Sequence, residues 1–257
     1  MKNRRTLFFS FIFGAALFAV APSQAQTGDQ GKQPAYMYLS EWAVPRAQWA
    51  DMAKLDEQDK PLMDKLVSEG TLTGYGAYTN LIHQDGEPTH GTWMTATSEG
   101  NILKALEAVY ASPGSTTAPV EGASKHWDYF LVSRVYNQRS GKSEGGYLGG
   151  DQWVVKPGEM RRYTDLVKQV MVPMFEKLLA DGIITSYTMA TEDYHKGKIG
   201  QVATWFTAAD ASAFDKASKA MDEAFDKNPA LASALQSMVE REGHRDFLDR
   251  VRYMNNK

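Results

Sequence analysis

The sequence predicts an α+β fold made of two tandem βαββαβ repeats whose antiparallel sheets pack together. Three observations carry that reading. The chain matches itself at a fixed offset, each copy passes through strand-like and helix-like hydrophobic periods in the same order, and the composition is that of an ordinary globular protein. Of 257 residues, 43% are hydrophobic and 23% charged, with 21 Gly and 10 Pro, which sets the chain apart from disordered, collagen-like and polytopic membrane proteins.

Sliding the chain by 112 positions aligns Lys60-Pro61-Leu62-Met63-Asp64-Lys65-Leu66-Val67-Ser68-Glu69-Gly70 with Val172-Pro173-Met174-Phe175-Glu176-Lys177-Leu178-Leu179-Ala180-Asp181-Gly182 without a gap. At the same offset Thr73, Tyr75, Thr79 and His83 meet Thr185, Tyr187, Thr191 and His195. Trp93 and Thr95 meet Trp205 and Thr207, and Pro45 meets Pro157. Further on, His126, Asp128, Arg134 and Asn137 meet His244, Asp246, Arg252 and Asn255 at an offset of 118, so the second copy has gained six residues. Shared columns of Trp and His, both rare residue types, set this apart from chance.

Each copy reads as strand, helix, strand, strand, helix, strand. The first strands, near 36–44 and 147–155, are rich in aromatic and β-branched residues. Pro45 and Pro157 stand where a helix opens and a missing N–H is tolerated. Met160, Tyr163, Val167, Val170, Met174 and Leu178 recur three or four apart, an apolar helical stripe. Pro61 and Pro173 predict a kink or break at one place in both helices, and Gly70 and Gly182 sit where a left-handed cap belongs. A hairpin follows in each copy, 71–82 with 89–97 and 183–194 with 199–208. The next helices start at Ser98 and Asp210, both good N-caps, and the last strands run near 127–136 and 246–254. An additional helix is expected at 229–240.

This order is the ferredoxin-like arrangement, in which helices cover one face of a sheet and the other face needs a partner. Two such sheets in one chain can cover each other. The pattern resembles the dimeric α+β barrel superfamily, which includes antibiotic-biosynthesis-type monooxygenases, NIPSNAP-like proteins and chlorite-dismutase-like haem proteins, here as a fused tandem duplicate. The resemblance lies in element order and sheet exposure, and it carries over no catalytic residue.

Residues 1–25 have a basic start (Lys2, Arg4, Arg5), an apolar run from Leu7 to Ala21 and a small-x-small end at Ser23-Gln24-Ala25. That is the form of a secretory signal, and the run of about 15 residues is short of the roughly 20 a membrane-spanning helix needs. The division is therefore a signal peptide 1–25, a disordered mature N-terminus 26–35, a first repeat 36–137, a Gly- and Ser-rich linker 138–146 and a second repeat 147–257, with a periplasmic or secreted location. The 28 basic residues stand against 31 acids, a formal charge of -3. Such a balance lacks the basic surplus of a nucleic-acid binder. With no cysteine, the chain offers no disulfide, thiolate nucleophile, Fe–S cluster or Cys-type zinc site.

Strand alternation sorts the repeated residues by face. It groups Thr73, Tyr75, Thr79 and His83 with their counterparts, and Trp93 and Thr95 with Trp205 and Thr207, as lining between the sheets. An aromatic interior with a few hydroxyls is the composition of a small-molecule pocket, and equally of a filled core. Tyr75, Trp93, Arg134, Tyr187, Trp205 and Arg252 are the candidate ligand contacts, the arginines for anions or for acids across the sheets. His83 and His195 stand at equivalent hairpin ends as candidate bases or turn histidines. Asp85, Glu87 and His90 beside His83 lack a metal-ligand spacing and have no counterpart in copy two. His126 with Asp128, and His244 with Asp246, are two apart, so Asp can orient the imidazole of a general base or simply tie a strand entry. Gly141-Lys142-Ser143-Glu144-Gly145 matches the G-x-S-x-G string of hydrolases but lacks the helix that should follow. No dinucleotide, phosphate-loop or HExxH motif occurs, and the cofactor stays open, with haem or metal chemistry through His83 or His195 as a third reading. Two functions compete: an exported small-molecule-binding barrel with monooxygenase- or isomerase-like chemistry on a small aromatic or apolar compound, and a noncatalytic envelope or interaction protein with a filled interior.

Overall fold

A computed structural model describes residues 32–112, 118–195 and 197–257. The expected signal peptide and residues 26–31 lie outside these. The first half contains β1 (Ala35–Trp42), α1 (Trp49–Ser68), β2 (Gly74–Asn80), β3 (His90–Ala96), α2 (Glu99–Tyr110), a short α3 (Ala118–Glu121) and β4 (His126–Gln138). After β5 (Gly141–Glu144), the second contains β6 (Tyr147–Val155), α4 (Met160–Leu166), α5 (Val172–Ala180), β7 (Ile184–Glu192), β8 (Gln201–Ala208), α6 (Ala211–Lys227), α7 (Pro229–Met238) and β9 (Val239–Asn256). Among the described residues no helix is long and apolar enough to cross a membrane.

The strands form one antiparallel sheet in the order β2-β3-β1-β4-β7-β8-β6-β9-β5, and β2 also pairs with β9. Eight strands therefore close into a barrel. The expected α+β barrel is present, and its halves join edge to edge, through β4–β7 and β9–β2. Within each half the spatial order is the same, β2-β3-β1-β4 and β7-β8-β6-β9. Two expected boundaries shift. Segment 138–146, read as a linker, contains β5, which pairs with β9 from Gly141 opposite Asn256 to Glu144 opposite Tyr253. The N-terminal stretch read as disordered to residue 35 already enters β1 at Ala35, and Lys32 donates to the Tyr136 carbonyl at 3.1 Å.

Helices cover the outside of the barrel. Met63, Leu66 and Val67 of α1 and Ile102 and Ala105 of α2 pack on Tyr75, Met94 and Ala96. Phe175, Leu178 and Leu179 of α5 and Ala217 of α6 pack on Ile184, Tyr187 and Phe206. The helix ends follow local chemistry. Ser98 Oγ accepts from Asn101 N, Asp210 Oδ1 accepts from Ala213 N at 2.8 Å, and Gly70 and Gly182 adopt φ of 79° and 75°. The two internal prolines behave differently. Pro61 lies inside an α1 that runs on through it, whereas Pro173 follows a π-helical turn, Val167–Met171, that links α4 to α5. A wider turn is one way to accommodate a ring that has no N–H to donate.

Both seams carry a bulge at an arginine. Ser133 pairs with Ala190 and Val135 with Met189, leaving Arg134 as the extra residue. Ala77 pairs with Tyr253 and Tyr78 with Val251, leaving Arg252 in the same role. Their fates differ: the Arg134 side chain is exposed, while Arg252, its side chain 15% exposed, turns a buried guanidinium to an ion pair with the buried Asp56 of α1. Burial pushes the Asp56 carboxyl up to about 6, against the opposing pull of Arg252. Removing one partner of a buried pair strands the other charge, at about 3–5 kcal/mol, whereas an exposed arginine is worth well under about 1 kcal/mol. Arg252→Met is therefore expected to destabilise strongly and Arg134→Met scarcely at all. Equal midpoints for the two variants in urea denaturation would refute the assignment.

Candidate functional site

Alternation along eight strands turns one set of side chains into the barrel: Met37, Leu39 and Glu41 from β1, Tyr129 and Leu131 from β4, Arg245, Phe247 and Asp249 from β9. Trp93 and Trp205, with Met37, Leu148 and Ala190, line both of two interior cavities and so form a waist between them. The cavities have volumes of about 300 and 270 Å³. Space for these rings comes from glycine. A Cβ on Gly76 would fall within the Trp93 indole, and one on Gly91 within the Tyr78 ring.

The two ends differ in chemistry. One is lined by hydroxyls, including Thr73, Thr95, Ser133, Ser186, Thr188 and Thr207; there Thr207 Oγ1 lies 2.6 Å from the hydroxyls of both Thr185 and Ser186. The other end is acidic. Glu41, Glu192 and Asp249 line it, the last two only 4% and 2% exposed, with Tyr78, Tyr129 and Arg245. Tyr78 donates to Glu41 Oε1 at 2.5 Å. Burial raises the Glu41 carboxyl above its ordinary range, while the Tyr78 hydrogen bond and Arg245 pull it down. Asp249 is pushed up to about 8, first by burial and then by Glu41, and its Oδ1 has no hydrogen-bond partner. Burial, then the charge of Glu41, pushes the Tyr129 hydroxyl up to about 12. Glu41 and Asp249 are thus carboxyl groups raised above their ordinary range beside an apolar space, the arrangement from which acid–base sites are built.

Of the residues singled out in the sequence, Trp93 and Trp205 line the interior. Tyr75 and Tyr187 do not. Tyr75 stands opposite Met94 and Tyr187 opposite Phe206, so both face the helices, where their hydroxyls donate to Asp64 and Glu176 at 2.7 and 2.5 Å. His126 and Asp128 meet at 3.1 Å, and Ser40 Oγ lies 2.7 Å from the imidazole and 2.8 Å from the carboxylate. The dyad is formed, but on the outer face, with His126 stacked on Trp42. His244 and Asp246 also meet at 3.1 Å, with His244 stacked on Trp153 and Asp246 at the rim of the acidic cavity. His83 and His195 are exposed at the hairpin ends, His83 beside the Trp49 ring. Neither lines a cavity. Arg134 and Arg252 stand at the bulges already described. Ser143 of the G-x-S-x-G string lies in β5 with a strand after it. Among the described residues no three His, Asp or Glu side chains converge as metal ligands.

Glu41, Tyr78, Tyr129, Glu192 and Asp249 escaped the sequence reading. A signal was present: charged residues at inward parity within apolar strands, as in Leu39-x-Glu41 and Phe247-x-Asp249. At the repeat offsets the seats of Tyr78, Asn80, Tyr129 and Leu131 are filled by Ala190, Glu192, Phe247 and Asp249. The acidic end is thus where the halves diverge, and a search confined to shared residues passes over it.

No protein-family model matches the chain, and no curated protein does. Solved structures do. A "putative monooxygenase" of Lactobacillus acidophilus superposes with a TM-score of 0.64 at 12% identity, covering 88% of this chain and 97% of that one. One of the same description from Fusobacterium nucleatum gives 0.64 at 10%, covering 88% and 96%. An anthrone oxidase-like protein gives 0.54 at 11%, covering 88% and 94%. At these identities the likeness is one of fold. The chain is a closed eight-strand α+β barrel of the kind these proteins share.

Because Asp249 takes up its proton near pH 8 when folded and near the ordinary carboxylate value when unfolded, the unfolded chain binds fewer protons between those limits. Stability must fall as pH rises through that window. Asp249→Asn removes this penalty. The variant is expected to gain stability over the parent progressively from about pH 5 to about pH 8, with the gap constant above. Denaturant melts across this range test it, and parallel pH profiles would count against a buried protonated Asp249.

Proposed function

We propose that this chain is an exported, small-molecule-binding α+β barrel with monooxygenase-like chemistry on a small aromatic or apolar compound, acting in the periplasm or outside the cell. The observation that carries the proposal is the acidic cavity, an apolar space bounded by Trp93 and Trp205 with the Glu41–Tyr78 pair at its wall. The names of the fold neighbours support the reaction class, and the leader-like residues 1–25 support export. We read the two halves as a tandem duplication of one ferredoxin-like unit. The equal strand orders and the two arginine bulges support that reading. The competing view, a noncatalytic protein with a filled interior, has these cavities against it.

In this reading Glu41 is the proton acceptor. Desolvation makes its carboxylate a stronger base than a solvated one, and Tyr78, its own ionisation opposed first by burial and then by Glu41, donates to it and holds its orientation. Withdrawing a proton from a carbon next to an aromatic ring makes that carbon electron-rich. Molecular oxygen is the named oxidant: a methylene that loses two hydrogens and gains one oxygen atom leaves a carbonyl, and the second oxygen atom departs as water.

Native mass spectrometry of the protein exported by its own leader is expected to show a small organic mass that denaturation releases. With a panel of hydroxylated aromatic methylene compounds, oxygen uptake should accompany a product heavier by one oxygen and lighter by two hydrogens. Glu41→Gln is expected to lower turnover by about 100-fold or more while leaving quenching of Trp fluorescence by the compound intact. A protein that neither binds nor oxidises any of the panel would overturn the proposal.

A further inference from the structure

The acidic cavity holds more carboxyl groups than the proposed chemistry uses. Glu41 suffices as a base, yet Glu192 and Asp249 are buried in the same space, and among the lining residues the one basic side chain is Arg245, itself exposed. Each buried carboxylate is costly unless something compensates it.

The acceptors here are also short of donors. Asp249 stands directly opposite Asn80 in the β2–β9 ladder, and both side chains line the cavity. Asp249 Oδ1 and Asn80 Oδ1 are buried without a hydrogen-bond partner. Turning the Asn80 amide would offer one donor and leave the carboxylate's charge in place. Around them are the rings of Trp93, Trp205 and Phe247, which pack as one group with Leu148. Aromatic faces attract cations. An ammonium group supplies three N–H donors and one positive charge. An anion would meet the carboxyl groups of Glu41, Glu192 and Asp249, with Glu87 and Asp246 also on the lining, and a neutral apolar ligand would leave both acceptors unsatisfied.

We propose that the compound bound in this cavity is an organic cation, a small aromatic or apolar molecule carrying a protonated amine, whose ammonium is held by Asp249, Asn80 and Glu192. The inference rests on the reading of the cavity as the functional site and names its ligand class. It has a built-in consequence for protons. An arriving ammonium favours the ionised form of Asp249, so binding expels the proton that burial otherwise keeps there. Glu41 and Tyr78 from β1 and β2, Glu87 from the β2–β3 hairpin, Tyr129 from β4, Glu192 from β7, and Arg245 and Asp246 from β9 share the space. Only Arg245 opposes the accumulation of negative charge.

Three probes of similar shape separate the alternatives: phenethylamine, phenethyl alcohol and phenylacetate, titrated against the purified protein by Trp fluorescence and calorimetry. The amine is expected to bind about 10-fold or more tighter than the alcohol at pH 8, as a charge-assisted hydrogen bond implies, with phenylacetate weakest. Its affinity should rise from pH 6 to pH 8 with proton release, while that of the alcohol stays flat. Asp249→Asn should erase both the preference and the pH dependence and keep alcohol binding, which also shows that the variant is folded. Glu192→Gln should reduce the preference. If the alcohol binds as well as the amine, or the amine preference survives Asp249→Asn, the cation assignment falls and the cavity reading stands. If none of the three binds, both fall.

Discussion

Each half of this chain, standing alone, would leave two strand edges unpaired, β2 and β4 in the first, β7 and β9 in the second. A row of free N–H and C=O groups is an invitation to pair with any passing strand. The chain resolves this internally. β4 pairs with β7 along Leu131 to Gln138, and β9 pairs with β2 along Asp249 to Asn256, so every edge of the eight-strand ring is used. The bulges at Arg134 and Arg252 sit on these two seams, where an extra residue increases local twist. Closure also explains the length of β9. It pairs with β6 through its first part and with both β2 and β5 through its last, so one strand serves as the staple of the ring.

The interior follows from closure. Eight strands make a barrel just wide enough for side chains to fill it, or to leave room for one small ligand. Here two tryptophans at equivalent positions fill the middle and leave a space at each end. The glycines opposite the large rings show that the aromatic packing is built into the backbone: Gly76 makes room for Trp93, and Gly91 for Tyr78. Above and below the waist the two ends differ, one lined by hydroxyls that bond one another, the other by carboxyl groups. The outer His–Asp dyads are satisfied by Ser40, Trp42 and Trp153 on the helix side, and only Asp246 reaches a cavity, at its rim. Geometry that looks catalytic in isolation is here a way of finishing a strand.

The element order, helix caps and hairpins were legible because each is written in local chemistry. Ser98, Asp210, Gly70 and Gly182 need only their neighbours in sequence to do their work. The faces were not legible. A strand's parity shows which residues share a side, and only its register to the next strand shows which side is inward. Grouping Tyr75 with Trp93 fails for that reason: Trp93 is opposite Gly76, so Tyr75 goes with Met94 to the helices. Ring closure was implied only by the resemblance to α+β barrels, since the β9–β2 pairing joins residues far apart in the chain. Arg252 could be seen to repeat Arg134, but its burial depends on Asp56 of α1, whose seat at the repeat offset in the second half is held by Lys168.

The buried acids are the part of the molecule that stability alone does not account for. Desolvation works against Glu41 and Asp249, and both seats can be filled otherwise, since the equivalent of Asp249 in the first half is Leu131, a good core residue. An apolar residue at 249 would pack against Leu148 and Phe247 and leave no unsatisfied oxygen. Keeping a carboxyl there weakens the fold at neutral pH, and the nearby Glu41 deepens the effect. Local conflicts of this kind mark places where a sequence serves something besides folding. In a barrel whose edges are all paired and whose outer dyads are all satisfied, this conflict is confined to one end of the interior, and that end is the one with room for a ligand.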